Sequence, residues 1–185
     1  MIASPSAEFR DALLASIPNM RAFAISLCGN HARADDLVQD VLVKAWSNID
    51  KFQEGTNLKA WLFTILRNTY LSDRRKRKRE VEDANGVYSD RLSTPPEQYG
   101  HLDMKDLKLA LLKLSTDQRE ALVLIGAEGF SYEEAADICG CAVGTIKSRV
   151  NRARNRLAEL MHVETMAEFG PEPHTGAVLN QAASQ

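Results

Sequence analysis

The residues of this chain best suited to chemistry are those that can hydrogen-bond to the edge of a nucleic-acid base. Lys147, Ser148, Asn151, Arg152 and Asn155 recur at helical spacing. At 100° per residue they occupy one arc of about 140°, with Lys147 at its start and Arg152 at its end. Ile146, Val150, Ala153, Leu157 and Leu160 gather on the other side, between about 220° and 300° on the same wheel. A face of amides, a hydroxyl and cations offers the donors and acceptors that read base edges in a major groove. Arg149, Arg154 and Arg156 lie nearer the flanks, where contact with phosphate is more natural. A solvated helix face usually mixes charge signs, yet no Asp or Glu occurs from Ile138 to Ala158.

That face needs an element to aim it. Ser131 with Glu134 three residues on forms a capping box, which starts a helix. Ala135 and Ala136 allow close packing, and Gly140 supplies the left-handed backbone of a tight turn. A second helix follows, and two short helices joined so tightly form a helix-turn-helix, whose second helix enters the major groove. Enzyme chemistry finds no comparable support. His31, His101, His162 and His174 are scattered, and none pairs with a nucleophile or acid in a known arrangement. Cys28, Cys139 and Cys141 are odd in number, and no second Cys or His group stands at a metal spacing. The expectation is no catalytic residue, no metal, no cofactor and no small-molecule substrate.

Charge is segregated along the 185 residues. The formal net charge is only -2, but residues 51–79 carry a net +7 and residues 138–158 a net +5, with the acidic stretch 80–137 between them. Two cationic blocks favour two contacts with a polyanion. Apolar spacing is helical throughout and no strand pattern emerges, so the expected fold class is all-α. Phe9, Leu13 and Ile17, then Met20, Phe23, Ala24 and Leu27, indicate two helices broken near Pro18 and ended at Gly29-Asn30. Leu37, Val38, Val41, Leu42, Ala45 and Trp46 form one apolar stripe on a helix over 31–48, with Asp35, Asp36 and Asp40 outside it. A loop over 50–57 leads into a long helix that begins with Leu58, Trp61, Leu62, Ile65 and Leu66 and runs into the cations Arg74 to Arg79. Breaker residues then accumulate, including Gly86, Pro95, Pro96 and Gly100. Helical pattern resumes at Leu102 and continues through Ile125 to stop near Gly129. Two small helical domains are expected, at 1–82 and 102–163, joined by a flexible linker over 83–101 and followed by a disordered tail over 164–185. No apolar run approaches the roughly 20 residues of a membrane span, and the first residues lack a signal-peptide pattern, so a cytoplasmic protein is expected.

The stretches Ala34-Asp-Asp-Leu-Val-Gln-Asp-Val-Leu-Val-Lys-Ala-Trp46 and Ala60-Trp-Leu-Phe-Thr-Ile-Leu-Arg-Asn-Thr69, followed by a linker and the helix-turn-helix, resemble the two domains of extracytoplasmic-function (ECF) RNA polymerase sigma factors. The resemblance spans about residues 8–162. Finer features, among them Leu27-Cys-Gly29, Gly55-Thr-Asn57, Glu80-Val-Glu-Asp83, Pro95-Pro-Glu-Gln98 and Ile138-Cys-Gly-Cys-Ala142, are similar to the EcfG-type subgroup, which directs the general stress response in alphaproteobacteria.

The resemblance implies that Asp35, Asp36, Gln39 and Asp40 dock on the β′ clamp helices of core polymerase, with the β subunit also a partner. It places the −10 promoter element on the first domain and the −35 element on the second. Trp61, Ile65 and Asn68 fall within about 60° on the helical wheel. Together with Phe52 from the preceding loop they could hold an extruded base. Arg74, Arg75 and Arg77 belong to a run of six cations that cannot share one helical face, and they suit a phosphate-attracting collar. The resemblance implies a third partner, a small helical anti-sigma factor. One departure stands out: many members carry a basic residue shortly before the helix-turn-helix, where this chain reads Leu124-Ile-Gly-Ala-Glu128. Two other readings are a sigma-like decoy that captures an anti-sigma factor and a helix-turn-helix transcriptional regulator. The first domain and the DNA-facing amides and cations argue against both.

Overall fold

The computed structural model describes residues 7–53, 55–83 and 102–161. Eight α-helices account for almost all of them: α1 (Ala7–Ala15), α2 (Ile17–Cys28), α3 (His31–Ser47), α4 (Leu58–Asp83), α5 (Leu102–Leu112), α6 (Thr116–Gly126), α7 (Tyr132–Cys139) and α8 (Val143–Leu160), with a short 3-10 turn at Ile49–Lys51. The all-helical expectation holds. Asp83, expected to open the linker, ends α4 instead; residues 84–101 of the expected linker and the expected tail over 164–185 lie outside the described residues.

Local signals set most boundaries. The break between α1 and α2 falls at Ser16, and Pro18 sits in the first turn of α2, where a missing N–H costs nothing. Gly29 closes α2 in the left-handed region, and Asn30 opens α3 by accepting from the Arg33 amide. The apolar run from Leu102 to Ile125 is two helices rather than one. Ser115 and Gln118 form a reciprocal capping box that starts α6. Ser131 and Glu134 do the same for α7, and Gly140, at φ 62°, makes the turn into α8.

The stripe on α3 needs one correction. Ala34, Leu37, Val38, Val41 and Ala45 are buried, but Trp46 is 46% exposed and Val43 is 67% exposed. With Met20, Phe23 and Leu27 of α2 and Leu62, Phe63 and Leu66 of α4 they form the first half of the core. Leu124 of α6, Ile138 of α7 and Ile146 and Val150 of α8 form the second. The two halves are continuous through Phe63. Its ring stacks on Phe23 at 5.1 Å and meets Phe130 edge-on at 5.1 Å. Beside it Arg67 donates to Glu120 at 2.6 Å, both side chains largely buried.

The turn at Gly140 yields a paired prediction. A Cβ there meets no atom within 4 Å, so Gly140→Ala suffers only the left-handed backbone strain of about 1–2 kcal/mol. Gly144 lies within α8 with similarly open space and no positive φ, so Gly144→Ala should stabilise, by up to about 1 kcal/mol. Urea midpoints moving in opposite directions confirm the assignment; equal shifts reject it.

Candidate nucleic-acid and polymerase interfaces

Three surfaces collect the residues of interest. The first is the outer edge of α3. Asp35 accepts from Arg21 Nε at 2.5 Å and Nη2 at 3.2 Å, and this bond holds its carboxyl below the usual carboxylate range. Asp36, Gln39 and Asp40 are exposed. The edge thus divides into one carboxylate tied to α2 and three polar groups turned to solvent. Val43 and Trp46 continue that edge at helical spacing. The edge thus sets an exposed apolar pair beside carboxylates. Periodicity had assigned Trp46 to the core, and only the finite width of the α2 and α4 contacts leaves it outside.

The second surface is a groove of about 440 Å³ between the end of α3 and the middle of α4, lined by Lys44, Asn48, Lys51, Trp61, Ile65, Asn68, Thr69 and Ser72. The structure brings Trp61, Ile65 and Asn68 together as the wheel predicts, the first two half-buried and the amide exposed. Phe52 stands behind them: its ring packs on Trp61 at 5.3 Å and on Phe9 at 5.7 Å, outside the lining. Lys44, Asn48 and Lys51 are new. Lys44 donates to Thr69 Oγ1 at 3.0 Å, and Thr69 in turn donates to the Ile65 carbonyl at 2.8 Å. Lys51 donates to Asn48 Oδ1 at 2.6 Å. An apolar wall, two amides and two ammonium groups suit a planar polar ring carrying a nearby anion.

The basic run beyond this groove is exposed, and its members point different ways. Arg74 donates to Thr116 of α6 at 3.4 Å, so it turns toward the second half of the chain. Arg75 donates to the Leu71 carbonyl and Ser72, while Arg77 pairs with Asp73 at 3.0 Å.

The third surface is α8. Ile146, Val150 and Ala153 are buried, and Lys147, Asn151, Arg152 and Asn155 are exposed, with Ser148 and Arg154 half-buried between them. Lys147 Nζ lies 5.8 Å from the centre of the Tyr132 ring. Arg149 is committed elsewhere: it donates to Asp117 of α6 at 2.7 Å, so a phosphate at this position must compete with a carboxylate. Arg156 pairs with Glu159 at 2.8 Å. The acid-free stretch of α8 through Ala158 therefore meets its carboxylates from Asp117 of α6 and from Glu159 in its own last turn. Glu128, the departure before the helix-turn-helix, has a buried side chain that pairs with Lys59 at 3.1 Å and accepts from Asn19 at 2.9 Å.

Thiol and metal chemistry have little footing. Burial, reinforced by Glu120, pushes the Cys139 thiol up to about 12, and burial also raises Cys28. Among the described residues no cluster of three His, Cys, Asp or Glu could hold a metal. Nor is any described helix long and apolar enough to cross a membrane.

Residues 14–80 match the model of sigma-70 region 2, and residues 104–157 match that of sigma-70 region 4. The chain is 61% identical over 172 residues to the ECF RNA polymerase sigma factor EcfG of Rhodopseudomonas palustris, covering 93% of this chain and 95% of that one. It is 34% identical over 144 residues to the ECF sigma factor SigC of Mycobacterium tuberculosis, covering 77% and 74%. Among solved structures it resembles the sigma factor RpoE of Bartonella quintana, crystallised with the anti-sigma factor NepR, with a TM-score of 0.79 and 60% identity over 86% of this chain and 100% of that one.

The two tryptophans offer a check on the α3 edge. Trp61→Phe, which leaves Trp46 as the emitter, should be quenched by acrylamide more strongly than Trp46→Phe, which leaves Trp61 against Phe52. The reverse order would place Trp46 inside.

Proposed function

This chain belongs to the ECF branch of the sigma-70 family of RNA polymerase sigma factors, and from that premise we propose a role for each of its three surfaces. The exposed α3 edge of Asp36, Gln39 and Asp40, with Asp35 held in place by Arg21, docks on the β′ clamp helices of core polymerase. Val43 and Trp46 extend that contact, and the β subunit is a further partner. Carboxylates beside an apolar pair complement a basic amphipathic helix, which favours both rapid encounter and correct register.

The groove between α3 and α4 takes an extruded base of the −10 element. Trp61 and Ile65 supply the apolar wall, Phe52 backs the Trp61 ring, and Asn68 hydrogen-bonds the base edge. The observation that carries this reading is the convergence of Trp61, Ile65 and Asn68 on one groove beside Lys44 and Lys51. Arg74, Arg75 and Arg77 draw the phosphates past it. Lys147, Ser148, Asn151, Arg152 and Asn155 read the −35 element in the major groove, with Arg149 and Arg154 on the backbone.

The chain does no catalysis of its own; polymerase makes the RNA. The likeness to EcfG and to a sigma factor solved with its anti-sigma factor supports two further parts of the reading. Genes of the general stress response are the output, and a small helical anti-sigma factor is the cytoplasmic regulator.

Run-off transcription with purified core polymerase tests the whole. Asp36→Arg with Asp40→Arg should weaken capture of core polymerase at least about tenfold, on the order of 1.4 kcal/mol, with unchanged far-UV circular dichroism. Capture at wild-type strength by the folded variant removes the α3 edge from the interface. Asn68→Ala should slow promoter opening and relax preference at one base of the −10 element, costing about 1–3 kcal/mol. Permanganate footprints and base preferences identical to wild type take Asn68 out of the site.

A further inference from the structure

The flank of α8 beside its reading face carries Arg149, Arg152 and Arg156, all within about 60° of one another on the helical wheel. Spaced three and four residues apart, they make one cationic stripe along the helix. Their surroundings differ. Arg152 is exposed and meets no carboxylate among the described residues. Arg156 pairs with Glu159 of its own last turn at 2.8 Å, with both side chains more than half exposed, and water and salt largely screen such a pair. Arg149 is only 22% exposed and is clamped at both ends. Its Nη2 donates to Asp117 of α6 at 2.7 Å, and its Nη1 donates to Cys141 Sγ at 3.8 Å in the turn ahead of α8.

An acid in the first turn of a helix needs no partner to be useful there, since the helix N-terminus already favours it. Asp117 is also 58% exposed, so no buried charge calls for the bond to Arg149. What the bond does is set a carboxylate against the one arginine of the stripe that is turned partly inward.

We propose that Asp117 is a positioning residue that withholds Arg149 from DNA phosphate and so weakens the hold of α8 on duplex of any sequence. The proposal deepens the reading of α8 above, in which Arg149 lies on the backbone. A phosphate contact carries no sequence information and strengthens binding to every duplex. A carboxylate 2.7 Å from the guanidinium offsets its charge, and a phosphate must displace that carboxylate or meet it as a like charge. Sequence-independent affinity keeps a chain on bulk DNA, so weakening it leaves more of the chain free for its protein partners.

Fluorescence anisotropy of the full chain with a labelled random-sequence duplex, over a range of salt, tests this. Asparagine keeps the shape of Asp117 and an acceptor oxygen at a surface position, so Asp117→Asn should fold as the wild type does. It should bind the duplex about three- to tenfold more tightly at low salt and steepen the fall of log K against log salt by about 0.9, the share of one phosphate contact. Glu159→Gln removes the same charge from the far end of the stripe and should change affinity by less than about twofold, because its arginine is already open to solvent. Adding Arg149→Ala to Asp117→Asn restores the wild-type net charge and should erase the gain. An Asp117→Asn chain whose affinity and slope match wild type overturns the proposal, since a merely structural acid moves only the denaturation midpoint. A gain no larger than that of Glu159→Gln, or one that survives the loss of Arg149, overturns it too, because either shows net charge alone at work. The random duplex holds no promoter element, so the slopes decide the role of Asp117 even for a wild-type chain that shows no preference for promoter over random sequence, a result that refutes the −35 reading alone.

Discussion

One aromatic ring joins the two halves of this protein. Phe63 is fully buried between Phe23 of α2 and Phe130 at the approach to α7. The ion pairs of Lys59 and Arg67 with the other half lie on either side of it. Lys59 lies one turn before it on α4 and Arg67 one turn after, so the ring is bracketed by two cations that each find a carboxylate on the other side. A helix with an apolar residue flanked by charges at i−4 and i+4 must either expose that residue or meet a surface of matching pattern. The second half supplies that surface, with Glu128, Phe130 and Glu120.

The same constraint explains how one helix serves two purposes. The 26 residues of α4 are long enough for one face to complete the core while the opposite face lines a groove, and the basic run projects past both. Neither use interferes with the other, because the two sets of side chains diverge by more than a right angle. Charge follows the same division. Arg21, Arg67 and Arg149 each meet an acid from another helix, and Lys59 meets Glu128 in the segment between α6 and α7. The exposed face of α8 carries its cations outward, where they remain available to a polyanion.

Features encoded within a few residues were legible in the sequence. The capping box at Ser131 and Glu134, the turn at Gly140 and the buried stripe of α8 are all signals of this kind, as is the convergence of Trp61, Ile65 and Asn68. Features made by distant residues were not. Lys44 reaches the groove because α3 packs along α4, with Thr69 its partner 25 residues away. Asp117 captures Arg149 across 32 residues, and Arg67 meets Glu120 across 53. No wheel contains those distances. The start of α6 was readable in Ser115-Thr-Asp-Gln118 and was obscured by leucines that keep helical spacing across the break. Trp46 misled for a different reason: periodicity gives the direction of a side chain from its helix and not how far the neighbouring helices extend.

Glu134 divides its two oxygens between separate tasks. Oε2 accepts the Ser131 amide at 2.9 Å and so completes the start of α7, while Oε1 accepts from Asn57 of the other half. The Ser131 bond is the larger cause of the carboxyl's depressed proton affinity, with Asn57 second. Loss of the Asn57 contact alone would therefore strip one oxygen and leave the other engaged. The bonds between Ser131 and Glu134 that start α7 do not involve Asn57, so the cap stands apart from the contact between the halves. The contact between the halves and the cap of α7 thus share one carboxylate without sharing an oxygen.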